Sequence, residues 1–519
     1  MEREDSKLWK YLVWKVCNRS KKPVITKRGK KMGARSLKIH AAVVLFLLTA
    51  SLGYFSEASE AGSQEIVSDT VSTIEDILEK KTISRFYDPV EIRGEILTEL
   101  LGRQIPLLRL YSFSDGSFHQ VPYQFDEWTS DGYLIVDIGP EANAELANGI
   151  LDPQDMLAFM ARDAGDRVPK SCWPDGVEKG VEIEIVDPVS GGQGWYYLLQ
   201  FLDQAPEISF GAEEYLEYAD EVRIDSRTYG VQGTNRTWKG KVYKSLVHRH
   251  VWTTEEAGGD GKDFIDSLRF RFKAKLAFGA IRINFDEGGS VGGWSKMKYG
   301  PVRTIARNWI ALTLPLGLKS PKFYADAYCY DTLGFTGFQT DVPVNPKHVA
   351  ANFTMMFGHD MHNPNAYGME WYNSNNPDGF LIDGVTSPME EQYDNSADTW
   401  RTVVGPNGWV VYRSMWDEFY RSQAEIKVRY SDDRERRQPP EYYPGDLGYA
   451  YTESIMKRLK PRKYEFQVDV FVPYHFYDPA GLRMDLIEEV ANIRDNPIQV
   501  KVGAHEGSNT AWHVTRMEP

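Results

Sequence analysis

The chain has 519 residues, with 74 Asp/Glu against 60 Lys/Arg and a formal net charge of −14. That balance argues against nucleic acid, whose phosphates need Lys/Arg to displace counterions, and against adhesion to anionic lipid. Three cysteines with no CxxC or CxxCH motif exclude covalent c-type haem and argue against a cysteine zinc site.

In chain order, residues 7–38 are strongly basic and an apolar run follows from Ala41 to Phe55. Small residues then stand at the −3 and −1 positions of a cleavage site after Ala61. This is the layout of a secretory signal, so the protein is expected to be exported, to periplasm or exterior. The apolar run is shorter than the roughly 20 residues that cross a bilayer. An uncleaved inner-membrane anchor at 41–55 is the alternative; after cleavage no span is expected. Met32 opens a compact basic segment before the apolar run and is a second candidate start. The first 61 residues hold 13 Lys/Arg and 5 Asp/Glu, a net of +8, so the remaining 458 residues carry −22. They keep Cys172 and Cys329, a pair able to form one disulfide in an oxidising compartment.

Residues 62–88 read as a linker with one short helical pattern. From residue 89 the patterns are those of strands. Val181 to Val186 alternates apolar and polar, and Trp195 to Phe201 follows after Ser190-Gly191-Gly192, which reads as a hairpin. Leu268 to Leu276, Ala280 to Phe285, Val302 to Leu316, Tyr464 to Val472 and Ile498 to Val502 are further strands. Helical patterns are few, with 141–149 and 482–493 the best candidates. The 14 Trp, 29 Tyr and 24 Phe suit pleated, half-buried surfaces. The expected fold is mainly β: large antiparallel β-sandwiches with long loops and few short helices. The expected divisions are an N-terminal β domain at 89–205, a large β-sandwich domain at 206–475 and a helix/strand segment at 476–519. The loops between 358 and 400 are rich in Asn, Gly, Tyr and Asp, and long loops on a rigid scaffold often carry function.

Four constellations are chemically suggestive. Asn148, Asp152 and Asp155 fall at ligand positions of an EF-hand-like calcium loop centred on Gly149. Ala144 and Leu146 stand at the first two ligand positions, and a helix-entry turn capped by Asp152 is the competing reading. His248 and His250 are two apart, so in a strand both imidazoles share a face and can bind one metal. His359, Asp360 and His362, at the head of the long loops, can serve as acid and base or as metal ligands. Carboxylates beside aromatics recur in Gln124 to Trp128, in Glu370-Trp371-Tyr372 and in Trp416 to Tyr420 with Asp417. Sugars stack on aromatic faces, and glycosidases use paired carboxylates. No GxSxG elbow, P-loop, HExxH or dinucleotide fingerprint is present.

The segments Gln120 to Glu127, Leu151 to Asp166, Gly300 to Ile305 and Tyr443 to Tyr449 resemble islands in exported bacterial β-rich proteins. The later region resembles the β-sandwiches of mutarotase-like and polysaccharide-lyase domains, which implies carbohydrate as ligand class. The leading functional expectation is an exported non-catalytic binding or surface-assembly protein with a polysaccharide or surface partner. The alternatives are a carbohydrate-active lyase or hydrolase using His359, Asp360, His362, Glu370 or Asp417, and a periplasmic redox accessory protein holding a divalent metal at His248 and His250. The cofactor is otherwise undetermined. An enzyme requires such groups to converge in one cleft with shifted pKa values; a binder requires a shallow aromatic face.

Overall fold

The computed structural model describes residues 79–519, except 170–171, 212–215, 221–222, 239–240, 277–280, 286–289, 313–322, 342–350, 363, 434–445, 459–462, 479–480, 504–510 and 515–519. Along several strands, residues 232–250 among them, the backbone alone is described. The signal-like segment, the 41–55 run and most of the expected linker lie outside the described residues.

The chain is mainly β. Two nine-stranded antiparallel sheets form a sandwich. The first sheet runs Ala424–Ser431, Asp446–Arg458, Ala351–His362, Ile265–Leu276, Lys241–Thr253, Tyr229–Trp238, Arg223–Ser226 and Leu216–Asp220, with Ile281–Phe285 pairing off the fourth strand. The second runs Ser290–Lys298, Thr304–Leu312, Phe323–Cys329, Leu333–Asp341, Lys463–Phe471, Gly408–Trp416, Arg401–Gly405, Glu370–Asn373 and Asn376–Leu381. They meet through Phe357 on Phe466, with ring centroids 5.4 Å apart, and through a bond from Arg401 Nη2 to Thr452 Oγ1 at 2.6 Å. Strand alternation decides which residues do this. On Ala351–His362, Phe357 and His359 point between the sheets, so Met356, Gly358 and Asp360 lie on the other face. Across the ladder Met356 is opposite Glu453, Gly358 opposite Tyr451 and Asp360 opposite Tyr449. Arg429 and Ser431 continue the Tyr451 and Tyr449 rows. That outward face is where the candidate site lies.

The N-terminal part packs a three-stranded sheet (Pro89–Arg93, Met156–Met160, Tyr123–Asp126) on a six-stranded one. Val90, Ile92 and Phe159 from the first meet Ile183, Ile185, Tyr196 and Leu198 from the second in one core. The expected hairpin is Val177–Val186 with Gln193–Phe201. Its turn is fastened by Asp187, which accepts from Val189 N and Ser190 Oγ. The C-terminal segment joins both parts. Gln499–Gly503 pairs with Val177–Val186, while Arg494 on helix Met484–Asp495 bonds Asp469 of the second sheet at 3.0 Å. Residues 79–88 also pack: Thr82 N donates to Gln193 O, and Arg85 and Asp88 are buried together.

Between the N-terminal sheets and the sandwich lies a buried charge network. Arg303, 1 % exposed, donates from Nε and Nη2 to Asp126 Oδ2, at 2.9 and 2.7 Å, and also reaches Glu91 and Tyr330 Oη. Asp126 Oδ1 takes Lys298 Nζ and Gln124 Nε2. Burial alone would raise the Asp126 pKa, but Lys298 and Arg303 outweigh it and hold the carboxyl down at about 2. Gly300 leaves room here for the Gln124 amide: a Cβ would stand 2.0 Å from Gln124 Oε1.

Three local expectations differ from the structure. Residues 141–149 form only a 3-10 turn at Ala144–Leu146. Asn143 there bonds the backbone of Leu134 and Val136, and Glu127 holds the N–H groups of Asn148 and Gly149, so side-chain acceptors displace helical bonds. Asp152 opens no helix; the next element is the strand Met156–Met160. Residues 359–362 finish a strand rather than head a loop. Cys172 and Cys329 pack against different hydrophobic clusters. Among the described residues, no helix is long and apolar enough to cross a membrane.

Candidate active site

The site starts with an edge. Ala424–Ser431 is the outer strand of the first sheet, and an unpaired edge invites association. The loop after Asn376–Leu381 covers it: Val428 N donates to Asn395 O, and Tyr393 Oη bonds Val428 O. Between this loop and the outward face lies a cleft of about 730 Å³. Its floor is Met356, Tyr449 and Tyr451, with the two tyrosine rings 5.1 Å apart. One wall carries Lys273 and the Arg429–Glu453 pair; the other carries Thr386, Glu390, Glu391 and Tyr393.

At one end stand Tyr430, Ser431 and Asp432. Asp432 is 1 % exposed. Its Oδ2 accepts from Asp383 N and Gly384 N, at 2.8 and 2.9 Å. Its Oδ1 is buried without a hydrogen-bond partner. Burial raises its pKa, the two backbone donors oppose this, and the charges of Glu390 and Asp383 add to the rise, leaving the carboxyl at about 6. Glu390, 6 % exposed, accepts from Ser387 N through one oxygen while Glu390 N donates to Ser387 Oγ. This reciprocal pair resembles a capping box, and the Glu390 carboxyl also interacts with the Tyr430 phenol. Tyr430 lies on Trp371, centroids 4.6 Å apart, and Phe380. Burial, then the charges of Asp432 and Glu390, push its phenol well up. Gly448 lets the Asp432 backbone come close: its φ is +139°, and a Cβ would meet Ser431 O at 2.0 Å and Asp432 Cα at 2.5 Å.

Two carboxyls in different surroundings, one held near neutrality, are the equipment of acid–base catalysis. Neither Asp432 nor Glu390 was singled out in the sequence. The available signals were Ser431-Asp432-Asp433 directly after an alternating strand and Glu390-Glu391 within the long loops.

The sequence-derived candidates lie elsewhere, with one exception. Asp360 is buried on the cleft-side face of the sheet, in the Tyr449 row. His359, next to it, points into the sandwich and stacks on Tyr412 at 4.6 Å. The side chain of His362 is outside the described residues. Glu370 is exposed and accepts from Tyr372 Oη at 2.6 Å. Asp417 caps helix Glu418–Gln423 through Tyr420 N and also accepts from Glu465 N. The backbones of His248 and His250 are opposite Thr234 and Gln232, separated from Ala351–His362 by the strand Ile265–Leu276; their side chains lie outside the described residues. In the calcium-like loop, Asn148 donates to Asp152 Oδ2, and Asp155 accepts from Trp128 N and Asp152 N. These groups close the loop on itself. Among the described residues no three His, Cys, Asp or Glu side chains gather as metal ligands.

No protein-family model and no curated protein matches the chain. Among solved structures, an α-mannosidase from Enterococcus faecalis V583 superposes with a TM-score of 0.42 at 9% identity, over 86% of this chain and 49% of that one. A heparan sulfate lyase mutant from Pedobacter heparinus superposes with a TM-score of 0.28 at 5% identity, over 61% and 44%. An aldose 1-epimerase-like chain from Escherichia coli K12 gives 0.28 at 7%, over 49% and 98%. The chain spans about half the length of the mannosidase.

Proposed function

We propose that this protein is an exported carbohydrate-active enzyme that binds a glycan in the 730 Å³ cleft and cleaves it, with Asp432 donating a proton to the glycosidic oxygen. The observation that carries this reading is the Asp432 carboxyl. It is buried, fixed by two backbone donors on one oxygen, without a hydrogen-bond partner on the other, and poised at about 6. A general acid works best with its pKa near the operating pH. The aromatic floor and the second carboxyl, Glu390, suit a pyranose ring and an acid/base pair. The basic and apolar N-terminus supports export.

The test is depolymerisation of a glycan panel by the full chain and by Asp432→Asn. The substitution keeps the shape and removes the proton, so turnover is expected to fall by roughly 10²–10⁴-fold with glycan binding retained. Retention of more than a tenth of the turnover would remove Asp432 from the chemistry. A second reading, a non-catalytic binding or surface-assembly role, is favoured by one feature. Leu381, Val385 and Met389 are all more than half exposed beside the cleft rim, and exposed apolar patches mark association sites. Glycan binding with no cleavage anywhere in the panel would select that reading.

A further inference from the structure

From the charges that line the cleft, we infer that its glycan is uncharged and that the bond is broken by hydrolysis, not by β-elimination from a uronate. This rests on the glycan reading above. Elimination needs a carboxylate on the sugar, and the charge that spreads onto it as the adjacent proton leaves must be met by a cation or a donor. The lining residues include two cations, Arg429 and Lys273. Arg429 is committed to Glu453, donating to Oε2 from Nε at 2.8 Å and Nη2 at 2.6 Å. Lys273 is exposed.

Against them stand Glu390, Glu391 and Asp432. Two of these, Glu390 and Asp432, are more than nine-tenths buried, and Asp432 Oδ1 has no hydrogen-bond partner. A uronate lodged there would add a negative charge beside Glu390 and Glu391 and hold the Asp432 proton more tightly. Sugar hydroxyls, by contrast, bring no charge and can donate to the acidic lining.

In the hydrolytic step the Asp432 proton passes to the glycosidic oxygen, and the bond from that oxygen to the anomeric carbon breaks with its electron pair. A water oxygen joins the anomeric carbon and gives its proton to Glu390. One water is consumed, one hydroxyl and one reducing end are released, and proton exchange with solvent resets the two acids.

The experiment presents the full chain with uncharged polysaccharides (glucomannan, xylan) and uronate-bearing ones (alginate, heparan sulfate). Release of reducing ends and the ultraviolet absorbance of unsaturated uronates are followed together. Binding is measured in parallel with Asp432→Asn. The expected result is new reducing ends from an uncharged glycan without absorbing product, lost in the variant, and binding at least tenfold tighter than for either uronate polymer. Absorbing product, or equal or tighter uronate binding, would overturn the inference and leave the glycan reading standing. Binding of an uncharged glycan without cleavage would overturn the hydrolytic step. No binding in either set would overturn both.

Discussion

Asp432 carries a free-energy cost that its neighbours sustain. Its folded pKa of about 6 lies above the ordinary carboxylate value because burial and then Glu390 and Asp383 outweigh two backbone donors. A carboxyl raised on folding stabilises the protein fully below its unfolded pKa, near 4, and that contribution is lost as pH rises through the folded value. Between about pH 4 and pH 7 the loss amounts to about 3 kcal/mol at most. Asp432→Asn is therefore expected to gain stability on the wild type as pH rises, with urea midpoints that run together below about pH 4, draw apart between about pH 4 and 6 and keep a constant gap above about pH 7. Parallel midpoints would show that the carboxyl is not raised. Asp126 has the opposite sign. Held at about 2 by Lys298 and Arg303 against burial, it contributes above pH 4 about 2 kcal/mol that is lost as pH falls through 2. Together the two residues place an optimum of stability near about pH 4.

At the scale of strands and turns, much was legible. Val181 to Val186 alternates because one face is buried, and Val181, Ile183 and Ile185 are its buried residues. The helix at 482–493 appears as Met484–Asp495, with Leu486, Ile487, Val490 and Ile493 inward. What periodicity cannot show is which strand supplies an edge and which loop covers it, and that pairing assembles the cleft. Glu390 and Asp432 are 42 positions apart in sequence, with no local pattern linking them. The segments that resemble other exported proteins are a different case. Gly300 to Ile305 packs on Gln120 to Glu127 through Arg303 and Asp126, and Arg162 of Leu151 to Asp166 reaches Asp331. Tyr443 to Tyr449 holds Gly448 against Asp432. They mark joints in the fold, and only the last borders the cleft. Gly448→Ala places a methyl group against backbone at a φ that disfavours any side chain. It is expected to destabilise by about 1–3 kcal/mol and to lower turnover. An unchanged denaturation midpoint would show that the two strands have room to part.

Over the whole molecule, the N-terminal sheets and the sandwich are joined by charge as well as by apolar packing. Arg303 and Asp126 are both fully buried, and each satisfies the other. Removing one partner of such a pair leaves an uncompensated charge and typically costs about 3–5 kcal/mol. Arg303→Met should show that loss in urea denaturation, and both halves should melt earlier because Glu91, Asp126 and Tyr330 come from both. A loss under 1 kcal/mol would mean that Lys298 suffices for Asp126.

The two carboxyls of the cleft hang from different sheets. Asp432 follows an edge strand of the first, and Glu390 rides on a loop between strands of the second. The gap between them is therefore set like the opening of a calliper, by the distance and slide of one sheet over the other. Interior contacts such as Phe357 on Phe466 and His359 on Tyr412 act as its hinge. A change of volume there, remote from the cleft, is expected to alter the distance between the two carboxyls, so the core of this sandwich is also the gauge of its cleft.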